Sequence, residues 1–333
     1  MWALVLLPIA LLAFGFPIFL LLLITAIVVL ATAMQVPWGV LHQVMFGSVD
    51  KFSLLAVPFF IFAGELMAKG SMSQRIIDWV LTLLGGRRGA MPLTVVGAST
   101  VFGALSGSGP ATVAAVGKLM YPNLKSRGYS DSFSGGLLAA SGGIAVIVPP
   151  SIAMILYCVS AEQSVADLFL AGILPGLAIA ALLAGYIFVF ATQQDIRESE
   201  SFEVAELWRA TKRGVFALLA PIIILGGIYA GVFSPTEASG VACVYALVVS
   251  LGIYRDVSIH EVMDIAVSTA TLTGQIMIIV AAAGLISWLM TVQGIPHYIR
   301  RLQMVLSNDV VQVFDLPDLD YAAAADEFQD GRR

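Results

Sequence analysis

The sequence predicts an all-α polytopic membrane protein, and three observations carry that reading. Of 333 residues, 59% are hydrophobic and 12% charged, with a mean hydropathy of +0.93, whereas a soluble domain carries about a quarter charged residues. The apolar residues gather into runs long enough to cross a hydrocarbon core of roughly 30 Å. The 31 glycines and 14 prolines fall within and between those runs, which predicts helices that are often broken.

The net charge of −5 is local. Through Arg301 there are fifteen basic and fifteen acidic residues; the remaining chain holds seven acids and only Arg332 and Arg333. The acidity therefore describes the tail and leaves the body neutral. Cys158 and Cys243 stand alone in apolar runs, so neither a disulfide framework nor a CxxC metal pattern is present. His42, His260 and His297 pair with no ligand at metal-binding spacing, which argues against a zinc or di-iron site. No basic cluster is interleaved with aromatics, so nucleic acid is not an expected partner; the lipid bilayer is. The first basic residue is Lys51, so the apolar N-terminal run reads as a membrane helix and not as a secretory signal.

Residues 2–33 carry no charge and divide at Gly15-Phe16-Pro17. They are too long for one span and short for two full ones. Later spans are expected at about 53–69, 134–160, 167–192, 215–232, 236–253 and 268–291. Lys and Arg concentrate in 70–88, 118–133 and 193–214, which the positive-inside rule assigns to the cytoplasm; 161–167, with only Glu162 and Asp167, is then external. Segment 89–123 enters from the cytoplasm and returns to it. Ser73–Leu84 and 198–213 have the spacing of amphipathic helices lying on the membrane surface.

The chain repeats an order of features. Leu12-Ala-Phe-Gly-Phe-Pro17 and Gly231-Val-Phe-Ser-Pro235 each precede an apolar run, and Phe59–Gly70 and Ile279–Gly294 each precede a short amphipathic turn. The charge assignments put the second Pro turn outside, and if 2–33 is two helices the first Pro turn is cytoplasmic, so the two copies are then oppositely oriented. That is an inverted repeat, and it favours two short helices over 2–33.

Gly97–Gly117 has Gly, Ala, Ser or Thr at 15 of 21 positions. Close helix packing accounts for the small residues but not for Ser106-Gly-Ser-Gly-Pro110. Pro110 suits a first helical turn, with Ser108 or Gly109 as its cap. The expected structure is a re-entrant helical hairpin over about 89–123 with its tip at 106–112, tolerated at membrane depth only against protein or a cavity. Ser141-Gly-Gly-Ile-Ala-Val-Ile-Val-Pro-Pro-Ser151 breaks the next span, over about 134–160, in the same way. Glu237 reads as a capping-box residue, and Glu65 as the surface partner of Lys69 four residues on. Ser106 or Ser108 as a nucleophile lacks a base on the same segment.

These motifs together resemble the large membrane subunit of tripartite ATP-independent periplasmic (TRAP) transporters. The likeness is carried by Leu105–Thr112, Gly142–Ser151, Ala161–Gly176 and Phe233–Ala238, and runs from about residue 3 to Leu302. The resemblance implies an elevator-type transport subunit of a Na⁺-driven importer of organic acids, multi-pass in the bacterial inner membrane. It implies as partners a small four-helix membrane subunit, a periplasmic substrate-binding protein and a small carboxylate. It implies no cofactor beyond Na⁺ as the coupling ion. By position, Ser106, Gly107, Ser108, Gly143 and Val148 would hold Na⁺, and Ser108, Gly109, Thr112, Pro150 and Ser151 would line the substrate.

The expected organisation is a first repeat over 1–192, a cytoplasmic amphipathic connector over 193–214, the start of a second repeat over 215–302 and a disordered acidic tail over 303–333. The family's second hairpin and second broken helix have no counterpart after Leu302, so the second repeat reads as incomplete. A C-terminally truncated or frameshifted chain that does not transport alone is then the expectation. Two further readings stay open here: an intramembrane serine-type enzyme, and a non-functional remnant.

Overall fold

A computed structural model of the chain describes residues 2–33, 37–193 and 202–296, so the acidic tail expected over 303–333 lies outside the described residues. The described residues are helical throughout, without a strand. Packing divides them into a unit ending at Leu285 and a second unit beginning at Ile286.

The charge-free N-terminus forms two short helices, α1 (Trp2–Ala13) and α2 (Ile18–Ala33), packed on each other. Between them Gly15 adopts φ +76°, Phe16 N–H bonds Leu11 C=O at 3.1 Å and Gly15 N–H bonds Leu12 C=O at 3.0 Å. That is a Schellman stop followed by a proline that starts the next helix. α3 (Gly39–Val49) and a 3₁₀ turn (Phe52–Leu55) lead into α4 (Ala56–Lys69).

α5 (Met72–Leu84) is the amphipathic helix expected at 73–84, but protein covers its apolar face. Met72, Ile76, Ile77 and Val80 are buried, and α5 packs against α6 (Ala90–Ser106) and α11 (Val204–Tyr229). Its polar face is tied down too. Arg75 Nη1 donates to Arg213 C=O at 3.0 Å, the Arg75 guanidinium Cζ lies 3.9 Å from the centroid of the Tyr254 ring, and Trp79 Nε1 donates to Thr211 Oγ1 at 3.0 Å. Of the expected surface helix over 198–213, residues 198–201 lie outside the described residues, and 204–213 forms the first part of α11, which runs unbroken from Val204 into the apolar stretch. No Gly or Pro interrupts 204–213, and hydropathy alone drew that boundary.

α7 (Gly109–Ser126) returns along α6, and α8 (Asp131–Ile147) and α9 (Ile152–Ala161) form a pair bent by 45°. α10 (Val165–Gln193), α12 (Pro235–Leu247) with a π-helical turn (Val248–Tyr254), and α13 (Ile259–Val292) complete the order. Among the described residues, five helices are long and apolar enough to cross a membrane, or six with the bent pair. α6 is the central element, packed by α4, α5, α7, α8, α10 and α11, with Phe102 and Leu105 fully buried. In the unit from Ile286, Thr291 Oγ1 donates to Ser287 C=O at 2.9 Å and Gly294 ends the helix at φ +67°.

The turn before α12 copies the one before α2. Gly231 sits at φ +71°, Val232 N–H bonds Gly227 C=O at 2.9 Å and Gly231 N–H bonds Ile228 C=O at 3.0 Å. The capping box expected at Glu237 is present, with Ser234 N–H donating to Glu237 Oε2 at 2.8 Å and Glu237 N–H to Ser234 Oγ at 3.2 Å. Ser234→Ala should cost about 1 kcal/mol of stability, readable as a lower thermal unfolding midpoint in detergent.

Candidate functional site

The hairpin tip follows from local chemistry. Gly107 ends α6 in the left-handed conformation at φ +61°, with its N–H on Gly103 C=O at 2.9 Å. Ser108 is extended and its Oγ accepts the Ala111 N–H at 3.4 Å, so the cap is Ser108 and Pro110 falls in the first turn of α7. Ser106 is buried, and its Oγ pairs with Thr112 Oγ1 at 2.9 Å across the tip. Thr112 Oγ1 also donates to Ser108 C=O at 2.9 Å.

The break in the next span is built from the same parts. Val148 leaves the helical region at ψ 125°, and Ser151 caps α9, accepting Met154 N–H at 3.5 Å while donating to Val146 C=O at 2.5 Å. Ser151, Pro149 and Pro150 are buried.

These two irregular segments touch. Ile152 N–H donates to Gly107 C=O at 3.1 Å, joining the tip to the first turn of α9. A Cβ on Gly107 would lie 2.8 Å from Pro150 O, and one on Gly109 2.9 Å from Gly142 O. The site therefore gathers Ser106, Gly107, Ser108, Gly109, Thr112, Pro150 and Ser151. It leaves two expected residues at its margin. Gly143 is exposed, and a Cβ placed there would meet nothing within 4 Å. The half-buried Val148 turns its side chain to α10, where a Cβ on Gly176 would meet its Cγ2 at 2.7 Å. The convergence places two helix C-termini, α6 and α8, beside two N-termini, α7 and α9. Helix C-termini favour cations, and N-termini favour anions.

Sequence reasoning passed over three supporting glycines. Gly64 brings α4 against the tip, where a Cβ would lie 2.7 Å from Ser106 Cα. Gly172 and Gly176 on α10 do the same for the break, Gly172 facing Ile147 O and the Met154 side chain. The signal was the small-xxx-small spacing of Gly172 and Gly176. At the opposite end of the hairpin, Asp131 Oδ1 takes both Lys125 Nζ at 2.8 Å and Tyr121 O–H at 2.7 Å, tying α7 to the start of α8.

Glu65 does not pair with Lys69 as expected. Its Oε2 accepts Thr269 Oγ1 at 3.4 Å, while Lys69 lies 3.9 Å from Glu261. Both true partners sit on α13, some 200 positions away, where a helical i, i+4 rule cannot see them. Ser106 and Ser108 hydrogen-bond only to hydroxyls and backbone among the described residues, an arrangement without the base that a nucleophile needs.

The chain matches the family described as "Tripartite ATP-independent periplasmic transporter, DctM component" over residues 5–314, past the Leu302 at which the motif likeness ends. It is 39% identical over 257 residues to the ectoine/5-hydroxyectoine TRAP transporter large permease protein UehC of Ruegeria pomeroyi, covering 77% of this chain and 60% of that protein. It is 34% identical over 303 residues to the C4-dicarboxylate TRAP transporter large permease protein DctM of Rhodobacter capsulatus, covering 87% and 69%. With the isethionate TRAP transporter permease protein DctMQ of Oleidesulfovibrio alaskensis it shares 34% over 300 residues, 90% of this chain and 47% of the relative. The chain thus spans roughly half to two thirds of the length of these relatives. It belongs to the DctM component family of TRAP transporters, multi-pass proteins of the bacterial inner membrane.

Proposed function

We propose that this chain acts in the transport subunit of a Na⁺-coupled secondary importer of organic acids. In this reading a periplasmic binding protein hands over the substrate and a small four-helix membrane subunit completes the assembly. Relatives named for C4-dicarboxylate, ectoine and isethionate support a small organic solute. The observation that carries the reading is the Gly107 C=O to Ile152 N–H bond. It holds the C-terminal end of α6 and the N-terminal ends of α7 and α9 in one place. The carbonyl ends suit Na⁺ and the N–H ends suit a carboxylate, the plan of transporters built from discontinuous helices. Ser106, Gly107 and Ser108 are the core of the proposed Na⁺ site, with Gly143 and Val148 at its margin. Ser108, Gly109, Thr112, Pro150 and Ser151 form one wall for the substrate.

The matched Schellman turns at Gly15 and Gly231 support an inverted repeat, and with it an elevator motion of the hairpin and broken helix against the remaining helices. Gly64 and Gly284, aligned in that repeat, are both points of close helix approach, Gly284 to Ser48.

A ligand that binds only the folded protein stabilises it, by about 2.7 kcal/mol at a hundred times its Kd. NaCl should therefore raise the unfolding midpoint of the purified chain above that in equal KCl. Ser106→Ala with Thr112→Val should weaken the Na⁺ effect about tenfold in concentration, or about 1.4 kcal/mol. Equal midpoints in the two salts would overturn the Na⁺ site.

A further inference from the structure

A second feature lies directly behind the hairpin. A crevice of about 460 Å³ separates α7 from α4 and α13. The α7 wall is Ala111, Ala114, Ala115 and Lys118, one face of a helix at i, i+3, i+4 and i+7. The facing wall of α13 presents Glu261, Asp264 and Ser268 at the same period, and α4 contributes Glu65 and Lys69. Ala111 and Lys118 are seven residues apart, so the crevice runs about 10 Å along α7. Its outer end carries Lys118 and Glu261; its inner end carries Glu65, Ser268 and Ala111. Ala111 belongs to the first turn of α7, and its N–H already bonds the tip residue Ser108. The crevice therefore reaches from the charged end of the hairpin to the back of the tip.

The charges are arranged unequally. Lys69 is taken up by Glu261 at 3.9 Å, and Asp264 faces His260 at 3.3 Å near the outer end. Among the described residues, Glu65 and Lys118 have no ion pair, and they sit at opposite ends. An ion at the inner end meets the Glu65 carboxylate beside the apolar wall of Ala111, Ala114 and Ala115, and a low-dielectric wall strengthens the field of a nearby charge. Glu65 lies within the apolar span Phe52–Lys69, and a carboxylate inside such a span is costly and a candidate functional group.

We propose that this crevice is an aqueous passage from the cytoplasmic face to the back of the hairpin tip, and that Glu65 at its inner end makes it selective for a monovalent cation over an anion. The proposal rests on the transport reading above for its orientation and for Na⁺ as the ion that leaves the tip. Lys118 at the outer end keeps the mouth from being uniformly negative, so selectivity depends on Glu65.

The test uses the full chain in inverted membrane vesicles, with Cys158→Ser and Cys243→Ser as background and Ala111→Cys or Ala114→Cys as reporter. Cationic trimethylammonium-ethyl and anionic sulfonatoethyl methanethiosulfonates are added to the cytoplasmic side, and their rates are normalised to those with a free thiol in water. Both reporters should react, and at Ala111→Cys the cationic reagent should be favoured about tenfold. Glu65→Gln should reduce that preference at least threefold, as about the loss of one focused charge, while Glu65→Asp should keep it. Glutamine still accepts the Thr269 hydrogen bond, so a purely structural Glu65 would leave the preference unchanged and overturn the selectivity. Silence of Ala111→Cys, or labelling only from the opposite side, would overturn the passage. If the labelling pattern holds but NaCl and KCl stabilise the chain equally, the passage stands and the Na⁺ reading falls.

Discussion

Gly107→Ala is expected to abolish the difference between NaCl and KCl in the unfolding midpoint and to destabilise the chain by about 3 kcal/mol. Two costs add. A side chain at φ +61° pays roughly 1–2 kcal/mol for the left-handed conformation. The new methyl then lies 2.8 Å from Pro150 O and 3.3 Å from Ile152 N, both backbone atoms that cannot rotate away. Relief requires the tip to withdraw from the break, and the Ile152 N–H to Gly107 C=O bond is the first to give way. Gly128→Ala separates the two costs. Gly128 also has a positive φ, +88°, but nothing lies within 4 Å of its Cβ position. That variant should lose only about 1 kcal/mol and keep its Na⁺ response. If Gly107→Ala also kept the Na⁺ response, the junction of tip and break would not be what forms the ion site.

The part of this site that residue types dictate is legible in the sequence. Ser-Gly-Ser-Gly-Pro cannot continue a helix, and Pro149-Pro150-Ser151 cannot either, so the hairpin tip and the break fall where residue chemistry puts them. The two turns at Gly15 and Gly231 are legible for the same reason. What the chain does not display is which surface faces which. α5 shows an apolar stripe whether lipid or α6 and α11 cover it. Glu65 looks like a partner for Lys69 because only neighbours at helical spacing are visible, while it actually meets Thr269. Gly142 and Gly143 are adjacent and chemically identical, yet a Cβ on Gly142 would strike the Val113 side chain and one on Gly143 would meet open space. A hundred-degree step around α8 separates those outcomes, and the neighbouring helix decides which glycine is required.

The same dependence on the facing helix predicts opposite signs for two glycine substitutions in the hairpin. Gly103→Ala places a methyl 2.6 Å from both Cα and Cβ of Ala145, where α6 crosses α8. The helices must move apart, and about 3 kcal/mol of stability should be lost. Ala145→Gly on top of it removes the clash with the Ala145 methyl but not the clash with the backbone beneath it. Rescue should therefore be partial, and a double-mutant cycle on unfolding midpoints reads the coupling directly. Gly117→Ala, one helix along, meets Leu138 Cδ1 at 3.6 Å, an ordinary approach to a flexible side-chain end. There the gain in helix propensity, up to about 1 kcal/mol, has nothing to offset it, and the midpoint should rise. If both variants fell together, loss of glycine as such would explain the result and the close crossing of α6 and α8 would not. If they diverge as expected, the hairpin and the broken helix are held as one body by small residues at their crossing, which is what an ion site shared between them requires.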